Sequence, residues 1–276
     1  MKKIVQGIQG NLWAEDLIGW KRWADKFILL NDISEADPEV PLVGGLNLSS
    51  KGFRDWLDKK RPCFLFNRPI LGSWNEKHII SRRVSVNSYA ATQLGNFTHN
   101  RWNNLKLEKH PWKVSSVKNI LVAPPLKSIY YWTGMYPEEW AESIIKQLES
   151  LDLNFKIRYK NSKGFKGRGG RFIALWDDFD WADVVVSFSS AITAEALWYG
   201  KKAISLGVCP TWICHQPSLD NILNPEESSN RDLWHNHIAW TQFTKDEWES
   251  GEAQELTVQY QGWPLDVSYP DNSFKK

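Results

Sequence analysis

The amino-acid sequence predicts an α/β fold with two lobes, in each of which strands and helices alternate along the chain. Short apolar segments rich in β-branched residues recur between segments with helical periodicity, which is typical of parallel sheets covered by helices. The chain has 276 residues, which is long enough for two lobes with separate cores. A polar and charged stretch at 102–116, WNNLKLEKHPWKVSS, lies between the two series of elements. We therefore place the N-terminal lobe at 1–115 and the C-terminal lobe at 116–276.

The N-terminal lobe is predicted to be small or irregular, although its elements alternate in the same way. The predicted strands are Lys3–Ile8, Phe27–Leu30, Pro62–Phe66 and Arg83–Val86, and the predicted helices are Trp13–Lys26 and Ser49–Lys60.

The C-terminal lobe shows the alternation more clearly. Asp183–Ser187 holds a continuous β-branched run, which is typical of a strand covered on both faces. In the segment Tyr136–Ser150, Pro137 lies in the first turn and the apolar residues form one helical stripe. The other predicted strands are Lys118–Pro124, Asn154–Lys160 and Lys202–Leu206, and the other predicted helices are Ser190–Tyr199 and Ser229–Trp240.

The C-terminal tail carries a helix-start signal. Thr244 and Glu247 have the spacing of a capping box, which predicts a helix that begins there and ends at Gly251. The following segment, Thr257–Asp271, is predicted to be extended. We assign these tail helices to the C-terminal lobe and expect them to fold back and pack against the rest of the protein.

The composition is typical of a globular protein of the cytoplasm. Apolar residues make up 42% of the chain and charged residues 24%, and the formal net charge of +2 is too small to indicate a nucleic-acid partner by itself. The 3 cysteines are too few for a disulfide framework, and no apolar run follows Lys2 and Lys3 as it would in a signal peptide. We therefore expect a cytoplasmic protein without membrane insertion, and the sequence leaves its oligomeric state open.

The 17 tryptophans are unusually many for this length. They are spread along the chain without a fixed period, which argues against a repeat protein. Packing in the core or at interfaces is the favoured interpretation for each of them, and platforms for bases or sugars are the alternative.

The segment ADVVVSFSSAITAEALWYGKKAISLG, at 182–207, predicts a site for an anion. Ser187, Ser189 and Ser190 end a predicted strand immediately before a helix, and ligands of open parallel sheets bind beyond the carboxyl ends of the strands. The first turn of that helix offers free N–H groups and a positive dipole end. Glu195 lies one turn inside the helix, where a carboxylate can accept hydrogen bonds from ribose hydroxyls. The alternative is that a serine only caps the helix and that Glu195 faces solvent.

Basic residues lie near other strand ends of the same lobe. Arg158 and Lys160 share one face of a predicted strand, Lys127 follows another strand, and the loop SKGFKGRGGR occupies 162–171. Such groups at the mouth of a parallel sheet favour an anionic ligand. A solvated charged loop is the alternative for each residue taken singly.

The segment VVVSFSSAITAEALWYGKKAIS, at 184–205, resembles the donor-binding segment of the GT-B glycosyltransferases, two-lobed enzymes that use nucleotide-sugar donors. It is most similar to their polysaccharide-synthesis and glycerophosphotransferase-like branch, where a strand, a serine pair and a helix reading EAL..GK recur. Together with RDLWHNHIAWTQFTKDEWESGEA, at 231–253, the pattern also resembles proteins found in bacteriophage genomes. The resemblance covers residues 102–253 and implies a GT-B-like fold of two Rossmann-like lobes.

The resemblance also implies a set of donor-binding residues and a nucleotide-sugar as the donor substrate. It implies that Ser189 and Ser190 bind the donor phosphates, that Arg158 and Lys160 offset their charge, and that Glu195 binds the nucleotide ribose. Ser187 and Lys127 join the donor-phosphate candidates because of their positions at strand ends. Enzymes of this kind generally need no bound metal, so no metal is expected. The acidic residues Asp177, Asp178 and Asp180 are predicted to lie in a solvated turn.

The N-terminal lobe is expected to supply a catalytic base facing the acceptor. Asp16 and Asp32 are the candidate catalytic residues and His99 is a further one, each weighed against an ordinary surface residue. The acceptor is open between a modified base in DNA and a glycan. With DNA as the partner, basic residues of this lobe would contact it; these are Arg82, Arg83 and Arg101.

The predicted function is therefore that of a nucleotide-sugar-dependent glycosyltransferase, encoded by a bacteriophage and working in the host cytoplasm. The alternative is a non-catalytic protein that binds a nucleotide or a host protein on the same GT-B-like scaffold.

Overall fold

A computed structural model describes residues 2–8, 14–45, 51–67, 80–87, 100–126, 134–159, 175–207, 209–214 and 218–268. The chain divides into two compact units, of which the first comprises Met1–Leu107 with His235–Ser273 and the second is built mainly from Glu108–Trp234. Each unit has its own sheet and its own helices. The predicted α/β fold with two Rossmann-like lobes is confirmed.

The strands and helices are numbered in chain order. The strands are β1 (Ile4–Ile8), β2 (Lys26–Leu30), β3 (Leu42–Gly45), β4 (Cys63–Asn67), β5 (Ile80–Val86), β6 (Asn119–Ala123), β7 (Asn154–Ile157), β8 (Val184–Ser187), β9 (Lys202–Ser205) and β10 (Gln242–Thr244). The helices are α1 (Ala14–Trp23), α2 (Lys51–Asp58), α3 (Asn100–Asn104), α4 (Pro137–Leu148), α5 (Ala191–Trp198), α6 (Arg231–Trp240), α7 (Lys245–Ser250) and α8 (Glu252–Gln261). Residues 175–181 are also helical.

The sheet of the first unit has the strand order β10-β5-β4-β3-β1-β2. Strands β1 to β4 are parallel, and β5 runs antiparallel to both β4 and β10. Within the described residues this sheet has 6 strands against 4 in the second unit. The N-terminal sheet is therefore the larger one, although the sequence predicted a small or irregular lobe.

Tryptophans build much of the first unit's core, on one face of its sheet. The ring centroid of Trp20 lies 4.9 Å from that of Phe64 and 6.0 Å from that of Trp248. On the opposite face, Trp56 packs with Cys63 in a second apolar cluster. Core packing is thus confirmed as the role of these tryptophans, because their rings supply large apolar areas to the core.

The sheet of the second unit has the order β7-β6-β8-β9, and its four strands are all parallel. The first strand of this unit, β6, lies between the second strand and the third, as β1 lies between β2 and β3 in the first unit. In such a doubly wound order the connections leave in opposite directions from the first and third strands. The topological switch point of the second unit is therefore the boundary between β6 and β8.

The C-terminal tail belongs to the first unit, whereas the sequence analysis assigned it to the C-terminal lobe. Strand β10 extends the first unit's sheet by pairing with β5, and Trp248 and Ala253 enter the same core as Trp20. Glu255 on α8 accepts hydrogen bonds from the Lys3 ammonium at 2.6 Å and from the Trp23 indole at 2.8 Å. These contacts join residues that are more than 200 positions apart in sequence, so no local pattern reports them.

The helix start at Thr244 is confirmed. The Thr244 hydroxyl accepts from the Glu247 amide, and the Glu247 carboxylate accepts from the Thr244 amide at 2.7 Å. Gly251 has φ of 90° and ends the helix, as expected. The predicted extended segment is wrong at its start, because residues 252–261 form α8.

Candidate functional site

The carboxyl ends of the second unit's four parallel strands meet at one edge of the sheet. The register pairs Ala123 with Ser187 and Ser187 with Ser205, so these residues form one row. The Arg158 amide donates to the Val122 carbonyl at 2.9 Å, which places Arg158 beside the end of β6. Since neighbouring strands lie about 4.8 Å apart, Arg158 and Ser187 are separated by roughly 10 Å along this edge. The predicted donor-site residues Arg158 and Ser187 therefore flank the switch point between β6 and β8.

Ser187 is fully buried, and its hydroxyl has no hydrogen-bond partner among the described residues. Its backbone is engaged, because its carbonyl accepts from the Leu206 amide at 2.9 Å. A buried hydroxyl without a partner costs about 1–3 kcal/mol. An oxyanion bound at this edge would supply the missing acceptor, and it can contact the enclosed hydroxyl only after a local rearrangement.

The end of β9 fixes the course of the loop that follows Ser187. The Ser205 hydroxyl donates to the Phe188 carbonyl at 2.7 Å and also contacts the Gly207 carbonyl at 3.1 Å. A Cβ at Gly207 would lie 2.7 Å from the Phe188 carbonyl oxygen, so glycine is required for this close approach. Ser205 and Gly207 are therefore positioning residues that the sequence analysis missed.

Ser190 is the N-cap of α5, as the capping alternative proposed. Its side chain accepts from the Ile192 amide at 3.4 Å, and its carbonyl accepts from the Thr193 hydroxyl at 2.8 Å. The cap occupies one N–H group of the first turn that a phosphate would otherwise use. Ser189 is partly buried at the same turn.

Glu195 is buried on α5, with 7% of its surface exposed, so the alternative that it faces solvent is wrong. A buried carboxylate needs hydrogen bonds or a cation to offset the loss of water. Its assignment to the nucleotide ribose stays a prediction.

Arg158 is paired within the protein. Its guanidinium forms an ion pair with Asp178, and the Lys156 ammonium contacts the same carboxylate. Asp178 lies in the helical segment 175–181 and is 4% exposed, so the prediction of a solvated turn is wrong for this residue. The two cations and one carboxylate leave a formal charge of +1 at this edge of the sheet, which attracts an anion but less strongly than an unpaired Arg158 would.

Asp32, a candidate catalytic base, caps a short turn in the first unit. It precedes the 3₁₀ helix Ile33–Glu35, and its carboxylate accepts from the Ser34 amide at 2.9 Å and from the Ser34 hydroxyl at 2.7 Å. These two hydrogen bonds lower the pKa of Asp32, which is fully exposed. A carboxylate with a lowered pKa is a weak base, so the geometry supports the turn-capping role better than the catalytic one.

Four other candidates cannot be placed. Lys127, Lys160 and His99 lie outside the described residues, and Asp16 belongs to α1 but its side chain also lies outside them.

The three arginines proposed for contact with DNA differ in their surroundings. Arg101 is buried and donates to both carboxylate oxygens of Glu247, at 2.8 and 2.9 Å, and to two backbone carbonyls. Its donors are therefore used inside the first unit, which leaves no role in contacting DNA. Arg82 and Arg83 are partly buried on β5.

The described part of the chain offers neither a cluster of metal ligands nor a helix that could span a membrane. It contains no group of three or more His, Cys, Asp and Glu side chains arranged to hold a metal ion. No helix in the same residues is long and apolar enough to cross a membrane. Burial raises the pKa of Cys214 to about 12, so this thiol stays protonated at neutral pH.

Comparison with known proteins gives structural neighbours only. No protein-family model and no curated protein sequence matches the chain. Among solved structures, the chain is similar to KpsC of Thermosulfurimonas dismutans, a β-Kdo 2,7-transferase, with 15% identity and a TM-score of 0.48, covering 93% of this chain and 99% of the other. It is also similar to a KpsC β-Kdo 2,4-transferase of the same organism, with 11% identity and a TM-score of 0.47, covering 87% of this chain and 90% of the other.

Proposed function

We propose that the chain is a nucleotide-sugar-dependent glycosyltransferase whose second unit binds the donor phosphates at the switch point between β6 and β8. The observation that carries the proposal is the buried hydroxyl of Ser187, which lacks a partner among the described residues and lies in that row. A phosphate oxygen is the acceptor that this hydroxyl lacks. The sequence resemblance of 184–205 to GT-B donor segments supports the same assignment.

Each site residue would make a different interaction with the donor. Ser187 and Ser189 supply hydroxyl donors, and the first turn of α5 supplies a positive dipole end. Arg158, balanced by Asp178, adds a moderated positive charge. As the bond to the sugar breaks, negative charge develops on the leaving nucleoside phosphate, and fixed donors placed there stabilise the transition state. Ser190 contributes by capping α5 and so fixing the direction of these groups.

Thermal denaturation against UDP-, GDP-, CMP-, CDP- and ADP-linked sugars tests donor binding. A donor at about 100 times its dissociation constant stabilises the folded state by roughly 2.7 kcal/mol, which raises the melting temperature by a few degrees. We expect one nucleotide family to produce this rise, and Ser187→Ala to abolish it.

The matched control is Ser143→Ala, which removes a serine hydroxyl from α4 in the same unit. This variant should respond to the donor as the unmodified protein does. Equal donor affinity in the Ser187→Ala variant would show that the phosphates bind elsewhere. The acceptor is then sought with two kinds of substrate, DNA carrying hydroxylated bases and glycans.

A non-catalytic nucleotide-binding protein is the second candidate, and the surroundings of Asp32 favour it. The hydrogen bonds from Ser34 hold that carboxylate in a turn and lower its pKa, so Asp32 is a poor general base. Donor binding without sugar transfer or donor hydrolysis would support this candidate. Loss of turnover in Asp16→Asn but not in Asp32→Asn would support the enzyme and identify its base.

A further inference from the structure

Arg83 occupies an unusual position at the carboxyl edge of the first unit's sheet. It lies on β5 between Asn67, the last residue of β4, and Gln242, the first residue of β10. Side chains alternate along a strand, and Val84 and Val86 enter the core that contains Trp20. Arg83 therefore projects from the opposite face of the sheet, at the edge where parallel sheets bind ligands.

The Nε–H group of Arg83 lacks a hydrogen-bond partner within the described part of the chain, and its Nε atom is buried. Burial lowers the pKa of Arg83 to about 10, and no carboxylate of the described residues counteracts this shift. At neutral pH the guanidinium thus stays charged, and the residue as a whole is partly exposed, which leaves access for a ligand.

Arg101 of the same unit shows how this chain satisfies a buried arginine. Glu247 accepts two hydrogen bonds from Arg101, and the carbonyls of Ala239 and Gln242 accept two more. Arg83 has no carboxylate partner of this kind among the described residues. A buried Nε–H group without a partner is destabilising, so a structural role alone gives no reason for an arginine at this position.

We propose that Arg83 binds an oxyanion, a phosphate or a carboxylate, of a ligand held at the carboxyl edge of the first unit's sheet. A planar guanidinium matches both groups through paired N–H donors. The oxyanion site is independent of the donor site in the second unit. We assign the ligand that carries this oxyanion to the acceptor, which would then have a phosphate or a carboxylate group. This assignment rests on the proposed function.

Nuclear magnetic resonance of arginine Nε–H groups tests the site directly. The chain is labelled with ¹⁵N-arginine, and the Arg83 signal is assigned by its loss in the Arg83→Lys variant. Inorganic phosphate and sodium acetate are titrated separately, each against sodium chloride at equal ionic strength. We expect the Arg83 signal to shift with a saturable dependence on at least one of the two anions, and the more effective one identifies the group. A signal that neither anion shifts beyond chloride would overturn the proposal.

The Ser187→Ala background separates this site from the donor site. If Arg83 binds the oxyanion, its signal should still shift in that variant, even though the second unit's phosphate site is impaired. Loss of the shift in Ser187→Ala would refute an independent site at Arg83. A shift at Arg83 with no response to any nucleotide-sugar would refute the proposed function and leave the oxyanion site standing.

Stability measurements give a second criterion, with Arg82→Met as the matched control. Arg82 is the neighbouring arginine on β5 and projects from the other face of the sheet, opposite Phe243. Arg83→Met should raise the melting temperature of the ligand-free protein, because it removes a partly buried charge that has no carboxylate partner among the described residues, and should weaken anion binding at least tenfold. Arg82→Met should leave anion binding within about twofold. Two results together would contradict the proposal. One is a lower melting temperature in Arg83→Met than in the unmodified protein, and the other is an equal anion affinity in Arg83→Met and Arg82→Met.

Discussion

Replacing Ser187 by alanine should stabilise the ligand-free second unit while it removes donor binding. The hydroxyl is buried and has no partner within the described residues, and such a group costs about 1–3 kcal/mol. Alanine leaves a small void where the oxygen was, which offsets part of the gain. We therefore expect the free energy of unfolding to rise by about 1 kcal/mol, near the lower end of that range.

Ser190→Ala is the comparison, because the same change three residues later should lower the free energy of unfolding. Ser190 caps α5, and removing an N-cap costs about 0.5–2 kcal/mol. Its oxygen lies 3.4 Å from the Ile192 amide, which is long for a hydrogen bond, so the loss should be near 0.5–1 kcal/mol.

Urea denaturation of both variants, followed by circular dichroism, measures these changes without any ligand. The expected order of stability is Ser187→Ala, then the unmodified chain, then Ser190→Ala. A loss of 1 kcal/mol or more in Ser187→Ala would refute the reasoning, because it would mean that the hydroxyl already has a structural partner.

Three further predictions concern groups that stabilise the interior of one unit or the other. Gly207→Ala should lower the free energy of unfolding in urea by about 1–3 kcal/mol and weaken donor binding, because the new Cβ would lie 2.7 Å from the Phe188 carbonyl oxygen. An unchanged free energy of unfolding would contradict this. Asp178→Asn should lower the free energy of unfolding by about 1–3 kcal/mol in the same assay, since the partly buried Arg158 would lose its carboxylate partner, and a neutral effect would show that the pair is dispensable. Burial is the largest single influence on the pKa of Glu247 and would raise it, but the hydrogen bonds and charge of Arg101, together with hydrogen bonds from Thr244, outweigh it and the net pKa is lowered. This pair therefore stabilises the fold above the unfolded pKa of about 4.3, and the contribution disappears as the pH falls through the lower folded value. In Glu247→Gln the free energy of unfolding should therefore fall less steeply as the pH is lowered from 6 to 2.5. An unchanged pH dependence in this variant would refute the assignment.

Much of the second unit could be predicted from local patterns. The β-branched run predicts β8, the serines before an apolar segment indicate the start of α5, and the alternation of strands and helices predicts a parallel sheet. The position of Ser187 at the edge of the sheet followed from the same patterns. Its lack of a partner among the described residues did not, because the burial of one hydroxyl depends on the packing of the surrounding chain.

Other features were missed because they depend on contacts distant in sequence. Strand β10 has three residues, and it exists because it pairs with β5, about 160 positions earlier. Residues 257–261, the second half of α8, were predicted to be extended, yet the buried positions of this helix recur with helical spacing. The partner of Arg158, Asp178, lies 20 residues away along the chain, and no periodicity indicates such a pair.

The measurement that tests the central claim most directly is a crystal structure of the protein with the nucleotide-sugar that raises its melting temperature most. The account predicts a phosphate oxygen about 2.5–3.0 Å from the Ser187 hydroxyl, at the edge where β6 and β8 end. A donor phosphate bound elsewhere, with the Ser187 hydroxyl still enclosed, would contradict it.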